Sequence, residues 1–314
     1  MNILYMILQG LFLLFLAPLI AGVVKKTKAL LQNRRGPHLF QVYRDIYKYM
    51  KKDAVMSEQT SWIFVFTPYL VFASILGAGL MLPVFHPVSP WPFSSDLIVF
   101  IYLLTMARFF MALAALDTGS AFGGMGASRE MAVSSVIEPA LVVTIAGLAF
   151  KAHTTDLSKM VSSFMVNPNG IFTPNLLLLL VAFYIILIAE SGRIPVDNPD
   201  THLELTMIHE GMLLEYSGKY LGLMVWASYL KQLLLYSIVA SVFLPWGITS
   251  DPSLIGGIYN LFFYLVKVVF IGVLVAVTET AFVKIRLFQI PELLFSSLVL
   301  SFLSILMEIT VGGR

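Results

Sequence analysis

The chain has 314 residues, of which 58% are hydrophobic and only 12% are charged. Soluble globular proteins carry about twice that share of charged residues, so the composition excludes a disordered protein, a nucleic-acid-binding protein and an ordinary water-soluble enzyme. There is no cysteine, which excludes disulfides, a thiolate zinc site and an iron–sulfur cluster held by this chain. The net charge of +2 says little, but its distribution along the chain is informative.

Eight apolar runs in the sequence are each long enough to cross a bilayer as a helix, which requires about 18 residues or more. Backbone amides find no water in lipid, so such runs form helices or a closed barrel. Barrel strands have about 10 residues and alternate in polarity, whereas these runs are about twice as long and do not alternate. We therefore expect an all-α, polytopic integral membrane protein with a single membrane domain over residues 1–314. Its transmembrane helices are expected at residues 3–24, 62–84, 97–116, 131–150, 172–189, 220–246, 254–282 and 293–311.

Lysine and arginine are distributed unevenly over the links between these runs. Residues 25–52 hold nine of them, whereas residues 85–96 and 247–253 hold none. Loops rich in basic residues remain in the cytoplasm, which puts the links after the odd-numbered runs inside. We expect a multi-pass protein of a prokaryotic cell (inner) membrane, with both termini on the extracytoplasmic side. Lys151 and Lys159, on a longer external loop, agree less well.

The first cytoplasmic segment, residues 25–53, is predicted to contain an amphipathic helix. Gly36 and Pro37 form a turn signal, after which apolar residues recur at helical spacing and basic residues lie mostly on the other face. Such a helix lies on the membrane surface, attracted to anionic lipid. The alternative is a docking surface for a soluble partner, with the apolar face forming one wall of a cavity. The apolar stripe comprises Leu39, Val42, Tyr43, Ile46 and Met50.

The second segment, residues 117–130, reads DTGSAFGGMGASRE and is expected to be a glycine-rich cytoplasmic loop. Its glycines and other small residues allow close approach of backbones. It contains neither a GxGxxG turn after a strand nor a Walker sequence, so nucleotide binding is poorly supported. Two interpretations remain: a tight connection between two membrane helices, and a loop pressed against a partner protein.

The third segment, residues 190–219, is an acidic cytoplasmic loop with six carboxylates and two histidines. Neighbouring carboxylates raise one another's proton affinity, and histidine titrates near neutral pH, so a cluster of this kind can take up and pass protons. A metal site and a purely solvated acidic loop are the alternatives. The sequence has no HExxH, and His202 and Glu204 are only two residues apart. The titratable residues are Glu190, Asp197, Asp200, His202, Glu204, His209, Glu210 and Glu215.

Several charged residues lie inside the apolar runs. A charged side chain that faces lipid at a helix centre costs about 2.5 kcal/mol or more, so these side chains are expected to face the protein interior, a water-filled cavity or a neighbouring subunit. Glu279 and Glu308 lie close enough to a run's end to snorkel. The best candidates for a buried proton or sodium path are Arg108, Glu138, Lys231 and Lys267. The alternative for each of them is a structural ion pair.

Several motifs together resemble one family. They are KALLQNRRGPHLFQVYRDIYKYMKK after the first run, GASRE before the fourth, and ESGRIPVD and LEYSG around the acidic segment, with Glu138 nine residues after Arg129. Over nearly its whole length the chain is similar to the membrane subunit of energy-converting (group 4) membrane-bound nickel–iron hydrogenases, the formate hydrogenlyase subunit 4 or hydrogenase-4 component C type. That family is homologous to the eight-helix quinone-site subunit of complex I, the NADH:quinone oxidoreductase.

Within this superfamily the hydrogenase branch is the better match. The stretch LDTGSAFGGMGASRE resembles the hydrogenase sequence, whereas complex I subunits usually lack its DTGS part. Val196 and His202 stand where the complex I pattern has Phe and Glu, while Asp197, Asp200 and Glu204 match its acidic positions. These departures put a quinone site in doubt.

The resemblance implies a subunit at the joint of a large complex, with no catalytic residue, metal or cofactor of its own. The nickel–iron centre and the iron–sulfur clusters are expected in partner subunits. The expected partners are hydrogenase large and small subunits, antiporter-like membrane subunits and membrane lipid, and no nucleic acid. The chain is expected to anchor the peripheral arm and to link hydrogen evolution to proton or sodium translocation.

The motifs and the residue pattern together assign two groups of site residues. The residues that dock partners are Arg34, Arg35, Arg44 and Arg129. The residues of the proton path, or of its coupling to redox chemistry, are Glu138, Glu190, Asp197, Asp200, His202, Glu204, Glu210, Glu215, Arg108, Lys231 and Lys267. The alternatives are a quinone-binding subunit of a complex I-like oxidoreductase, a subunit of a sulfur-reducing complex and a stand-alone ion transporter. Other chains decide the electron donor, the terminal acceptor and the pumped ion.

Overall fold

The computed structural model describes residues 2–85, 96–166, 173–199, 206–249 and 254–312. Within these ranges the chain forms helices and no strand. The helices are α1 (Asn2–Leu31), α2 (Gln41–Lys51), α3 (Trp62–Leu80), α4 (Leu97–Asp117), α5 (Ala121–Ala152), α6 (Leu157–Val166), α7 (Pro174–Glu190), α8 (Gly218–Ile238), α9 (Leu254–Ala281) and α10 (Ile290–Gly312). The short turns are Glu210–Leu213 and Leu287–Gln289, which are 3-10 helical, and Val239–Phe243, which is π-helical and continues α8.

Seven helices of the described chain are long and apolar enough to cross a membrane, namely α1, α3, α4, α5, α8 with its π-helical turn, α9 and α10. The remaining expected run, the fifth along the chain, corresponds to α7, an apolar helix of 17 residues, which is at the lower limit for crossing the hydrocarbon core. α7 begins at Pro174, because proline lacks only an N–H that the first turn of a helix leaves unpaired. The prediction of a polytopic all-α membrane protein is confirmed.

α8 lies at the centre of the bundle. Of its membrane-spanning window 72% is buried, against 22% for α10. α8 contacts α1, α2, α3 and α9, while α3 packs on α4, and α5, α7 and α10 form a second group in which α10 is outermost. The polar side chains of α8 are therefore enclosed by protein, not by lipid.

The bundle has two distinct ends. One end of the bundle holds the carboxyl termini of α1, α4, α7 and α9 together with the amino termini of α3, α5, α8 and α10. We name this the α2 end, since α2 belongs to it, and the other the opposite end. The α2 end carries the segment between α7 and α8, with its buried charges Arg193 and Asp197. The alternation of helix directions agrees with the expected order of membrane crossings.

The amphipathic helix expected after Gly36 and Pro37 is α2. It buries Val42 and Ile46 against Ala21 of α1, with Trp226 and Tyr229 of α8 packed around them. Arg44 points outward and is exposed. The apolar face of α2 therefore packs on the protein itself, as the cavity-wall interpretation requires.

The expectation of a loop over residues 117–130 is wrong. Only residues 118–120 link α4 to α5, and α5 is helical from Ala121 onward. Each glycine in a helix costs about 1 kcal/mol relative to alanine, but packing against the rest of the protein outweighs that cost at the start of α5. A Cβ on Gly126 would lie 2.9 Å from the carbonyl carbon of Gly211, so the absence of side chains lets the 3-10 turn Glu210–Leu213 pack directly on α5. The link itself is a tight connection between two membrane helices.

Candidate ion-coupling site

The centre of the site is Arg108, on α4, which is only 4% exposed. Its guanidinium is hydrogen-bonded to the carboxylate of Glu190 at the end of α7. A second nitrogen lies 3.1 Å from the carboxylate of Glu138, and Nε lies 3.7 Å from that of Glu130, both on α5. One buried cation thus binds three carboxylates from two other helices.

Glu190 also binds a second cation, the ammonium of Lys231 on α8, at 3.3 Å. Four residues expected from the sequence therefore meet in one network that joins α4, α5, α7 and α8, namely Arg108, Glu138, Glu190 and Lys231. A charge in a medium of low polarity requires partners of opposite charge, and this arrangement supplies them. We name it the Arg108 network.

Sequence reasoning missed Glu130, and it named His209 only as one of the titratable residues of the acidic segment. Glu130 precedes Glu138 by eight residues on one helix, so the two carboxylates share a face, and this spacing was a usable signal. His209 Nδ1 lies 4.0 Å from Glu130. No pattern in the sequence pointed to that contact, because it depends on how the segment between α7 and α8 folds back.

A second buried network lies beside the first. Arg193 donates to Glu279 of α9 at 3.1 Å and to the side-chain oxygen of Gln232 on α8 at 2.9 Å. Lys28 of α1 reaches the same Glu279 at 3.1 Å. Snorkelling of Glu279 is therefore a wrong expectation: the residue is 3% exposed, since α1 continues to Leu31 and brings Lys28 over it.

The segment between α7 and α8 is held in place by Asp197. This carboxylate accepts a hydrogen bond from Lys284 at 2.7 Å and from the backbone amides of Ile208 and His209 at 3.3 and 3.2 Å. Arg129 adds a hydrogen bond to the carbonyl of Met207 at 3.0 Å. Glu190, Arg193 and Asp197 are all buried, so the part of the segment that follows α7 directly is not solvated.

Tyr216 shows how tightly the end of this segment packs. Its ring stacks on Phe64 with 4.0 Å between ring centroids, and its hydroxyl donates to the Phe64 carbonyl at 3.0 Å. Burial raises the pKa of the Tyr216 phenol well above its usual value of 10.0. The hydroxyl therefore stays protonated and keeps its hydrogen bond to the Phe64 carbonyl.

A cavity of about 300 Å³ lies between α2, α8 and the segment after α7. Glu190 and Lys231 of the Arg108 network line it, and so do Arg193 and Gln232 of the second network. The cavity thus connects the two networks. Its remaining charged or titratable lining residues are Lys25, Asp45, Tyr49, Asp197, His209, Glu210 and Tyr229.

Other predicted site residues lie apart from the Arg108 network or outside the structure's description. Lys267 is buried on α9, where it donates to the carbonyl of Ala240 at 3.3 Å. Glu215 is exposed. Asp200, His202 and Glu204 lie outside the described residues. In the part that is described, no three residues among His, Asp and Glu are grouped to hold a metal ion.

The expected docking residues divide into two kinds. Arg34, Arg35 and Arg44 are exposed at the α2 end. Arg129 is half-buried and holds the segment between α7 and α8 by its hydrogen bond to Met207. The structure thus leaves three of the four arginines open to a partner and uses the fourth internally.

A family model described as NADH dehydrogenase matches residues 3–309. The chain belongs to this family. It is 36% identical over 305 residues to formate hydrogenlyase subunit 4 of Escherichia coli (strain K12), covering 97% of this chain and 98% of that one. It is also 36% identical over 284 residues to hydrogenase-4 component C of the same organism, covering 90% and 89%.

A solved structure has the same fold. The matching chain belongs to the membrane-bound sulfane sulfur reductase, described as an archaeal respiratory membrane complex. It superposes with a TM-score of 0.85, at 22% identity and with 98% of this chain and 99% of that chain covered. The likeness to hydrogenase membrane subunits and the kinship to the NADH dehydrogenase family, both expected from the motifs, are confirmed.

Proposed function

We propose that this chain is the membrane-anchoring and energy-coupling subunit of a multi-subunit membrane-bound nickel–iron hydrogenase. It links hydrogen-evolving chemistry in a peripheral arm to the translocation of protons or sodium ions. The matches to formate hydrogenlyase subunit 4 and hydrogenase-4 component C over nearly the whole chain support this assignment.

The observation that carries the proposal is the charged cavity at the α2 end. Binding sites for small apolar molecules are lined predominantly by hydrophobic and aromatic side chains with few polar groups. This cavity is lined by Lys25, Asp45, Glu190, Arg193 and Lys231, among other charged residues. Its chemistry suits the movement of ions and water and does not suit the tail of a quinone, which argues against the quinone-binding alternative.

The Arg108 network supplies a mechanism for coupling. Three carboxylates share Arg108, and Glu190 is also held by Lys231. A proton that joins one carboxylate weakens its hold on Arg108 and strengthens that of the other two, because opposite charges attract strongly where water is excluded. When a partner displaces the segment after α7, His209 moves relative to Glu130, and the relative hold of the three carboxylates on Arg108 changes.

The surroundings of the site suggest where partners bind. The exposed Arg34, Arg35 and Arg44 form the docking surface for the hydrogenase large and small subunits, which hold the nickel–iron centre and the iron–sulfur clusters. The Glu138 side chain is 39% exposed, and its face of α5 adjoins antiporter-like membrane subunits. In this proposal the α2 end is cytoplasmic in a prokaryotic cell membrane, and both termini lie on the extracytoplasmic side.

Metal analysis of the complex that co-purifies with this chain in mild detergent tests the proposal. The expected result is nickel in stoichiometric amount together with iron. Iron without nickel would overturn the hydrogenase assignment in favour of a quinone-reducing or sulfur-reducing complex. Stable protein with ion transport but with no co-purifying subunit would instead indicate a stand-alone transporter.

A further inference from the structure

Two helix tips at the α2 end expose large apolar side chains. At the end of α1 these are Leu30 and Leu31, which are 60% and 49% exposed, and directly after α9 they are Phe282 and Val283, which are 60% and 84% exposed. Exposed apolar groups that stand together mark a site of interaction with another protein or with a membrane. We name these four residues the tip patch.

The two tips lie side by side. α1 and α9 run in the same direction and both end at the α2 end, where Lys28 and Glu279 form an ion pair of 3.1 Å. Leu31 follows Lys28 by three residues, and Phe282 follows Glu279 by three. The amide of Phe282 still donates to the Thr278 carbonyl at 3.0 Å, as in a helix. The next turn of each helix therefore carries the tip patch directly beyond the ion pair.

A belt of polar residues separates the tip patch from the surface that faces lipid. In α1 the apolar run ends at Val24, and residues 25–28 read KKTK before apolar residues return. In α9 residues 278–280, which read TET, occupy the corresponding place. At the rise of an α-helix, Leu31 lies about 10 Å beyond Val24. Charged residues are not tolerated among hydrocarbon chains, so the tip patch is not a continuation of the lipid-facing surface, and its cover is protein.

The rim of the tip patch is cationic. Arg34 follows α1 directly, its amide donating to the Ala29 carbonyl in the last turn at 2.8 Å. The side chains of Arg34 and Arg35 are exposed. A second copy of this chain, related by a two-fold axis, would set these arginines against their own equivalents, and like charges repel. The partner that fits is therefore a different protein, with an apolar centre surrounded by carboxylates.

The tip patch is joined to the segment that lines the cavity. Lys284, the residue after Val283, reaches Asp197 at 2.7 Å, and the amide of Ile285 donates to the Pro195 carbonyl at 3.0 Å. At this point the chain turns from the tip of α9 toward the segment after α7 and then leads to α10. A protein bound on Val283 therefore lies one residue from the contacts that hold this segment.

We propose that the tip patch is the apolar seat of a soluble peripheral subunit whose docking surface has an apolar centre rimmed by carboxylates. The proposal rests on the proposed function and deepens it, because it adds an apolar part to the docking surface beside the exposed arginines. Burial of the tip patch supplies affinity that salt does not screen, while Arg34 and Arg35 determine encounter and register.

A single introduced thiol tests what covers the tip patch, since the chain has no cysteine of its own. The reagent is a membrane-impermeant maleimide carrying polyethylene glycol, which shifts this chain on a gel. In native membranes, Val283→Cys should stay unlabelled while the peripheral arm is bound and should react after a chaotropic salt has stripped the arm. Val299→Cys, on the exposed apolar side of α10, should stay unlabelled in both states and gives the behaviour of a site in lipid.

Binding strength tests the apolar contribution separately. Phe282→Ser combined with Val283→Ser should raise the apparent dissociation constant of the peripheral subunits at high salt at least about tenfold, the loss typical of an interface anchor. Both side chains are exposed, so the stripped membrane part should keep its thermal midpoint. Phe282→Leu combined with Val283→Ile preserves the apolar surface at the same two positions and should retain the peripheral subunits.

Each other result contradicts the proposal in a definite way. If the Val283→Cys thiol stays unlabelled after stripping, as Val299→Cys does, lipid covers the patch. If it reacts fully while the arm is bound, nothing covers it, and disulfide-linked pairs of this chain under mild oxidant would indicate a second copy. These three results leave the proposed function standing. A chain that purifies with no peripheral subunit at all would contradict the proposed function itself.

Discussion

The guanidinium of Arg193 and the carboxylate of Glu279 form a buried ion pair of 3.1 Å between the segment after α7 and the last turn of α9. Lys28 of α1 binds the same carboxylate at 3.1 Å. Through Glu279, the cavity-lining residue Arg193 is therefore tied to α9 and α1, two membrane helices that are distant in sequence. Its role in stability can be measured.

Glu279→Gln should destabilise the protein markedly, because the buried Arg193 and the half-buried Lys28 would each lose an ion-pair partner. Removing one partner of a buried ion pair costs about 3–5 kcal/mol. Thermal unfolding of the complex in mild detergent should show a clearly lower midpoint. Glu58→Gln, at an exposed carboxylate of the α2 end, is the control and should leave the midpoint in place. Equal midpoints for both variants would contradict the structural role of Glu279.

Glu138→Gln and Lys231→Met should uncouple ion movement from turnover while leaving the complex assembled. Glu138 has a half-exposed side chain, and Glu190 keeps Arg108 as a partner when Lys231 is lost. Neither change therefore leaves an isolated buried carboxylate. The measurement is ions translocated per hydrogen molecule in proteoliposomes, with Glu58→Gln as the control. If both variants translocate as many ions per hydrogen molecule as the wild type, the Arg108 network consists of structural ion pairs only.

Gly126→Ala should prevent proper packing of the 3-10 turn Glu210–Leu213 on α5. A Cβ there would lie 2.9 Å from one backbone atom of Gly211 and 3.0 Å from the amide nitrogen of Met212, and neither backbone can move aside without displacing the site. Gly124→Ala is the matched control, because nothing lies within 4 Å of a Cβ at that position. In a helix alanine is favoured over glycine by about 0.5–1 kcal/mol.

The comparison of the two glycine variants is made on the yield and thermal stability of the purified complex. Gly126→Ala should lower both, and Gly124→Ala should keep or slightly raise them. A Gly126→Ala protein as stable as wild type would mean that α5 and the 3-10 turn do not pack as described.

Charge reversal of Arg34, Arg35 and Arg44 to Glu should release the peripheral subunits without unfolding the membrane part. The three side chains are exposed, so their loss removes no internal contact, whereas opposite charges across an interface determine encounter and register. Co-purification of the peripheral subunits should fall, and the difference from wild type should narrow as salt rises, because salt screens the attraction in the wild type and the repulsion in the variant. Arg286→Glu, another exposed basic residue of the α2 end, should retain them. Full retention in the triple variant would exclude this docking surface.

The amino-acid sequence predicts the membrane helices well, because length and hydropathy alone decide whether a segment can remain in lipid. It also pointed to Arg108, Glu138, Glu190 and Lys231, since each is a charge that apolar surroundings do not tolerate unpaired. Their grouping around one guanidinium could not be predicted, because it depends on which faces of α4, α5, α7 and α8 meet.

Two errors have a common physical cause. Local propensity predicts a loop for the glycine-rich stretch and contact with water for Glu279, since it takes no account of residues that are distant in the chain. In the folded protein Gly211 packs against Gly126, and Lys28 covers Glu279. Contacts between residues far apart in the chain overrule local preference at these positions, and a single sequence does not reveal them.

α5 has 32 residues, about 48 Å at the rise of an α-helix, whereas the hydrocarbon core is about 30 Å thick. Its apolar run starts only at Met131, so the turns before it stand above the membrane as a stalk against which Gly211 rests. Pro139 interrupts the backbone hydrogen bonds directly after Glu138, and proline is where long helices bend. The stalk and the membrane-spanning part of α5 therefore meet near Glu138, and a displacement of the stalk is expected to change the distance between Glu138 and Arg108.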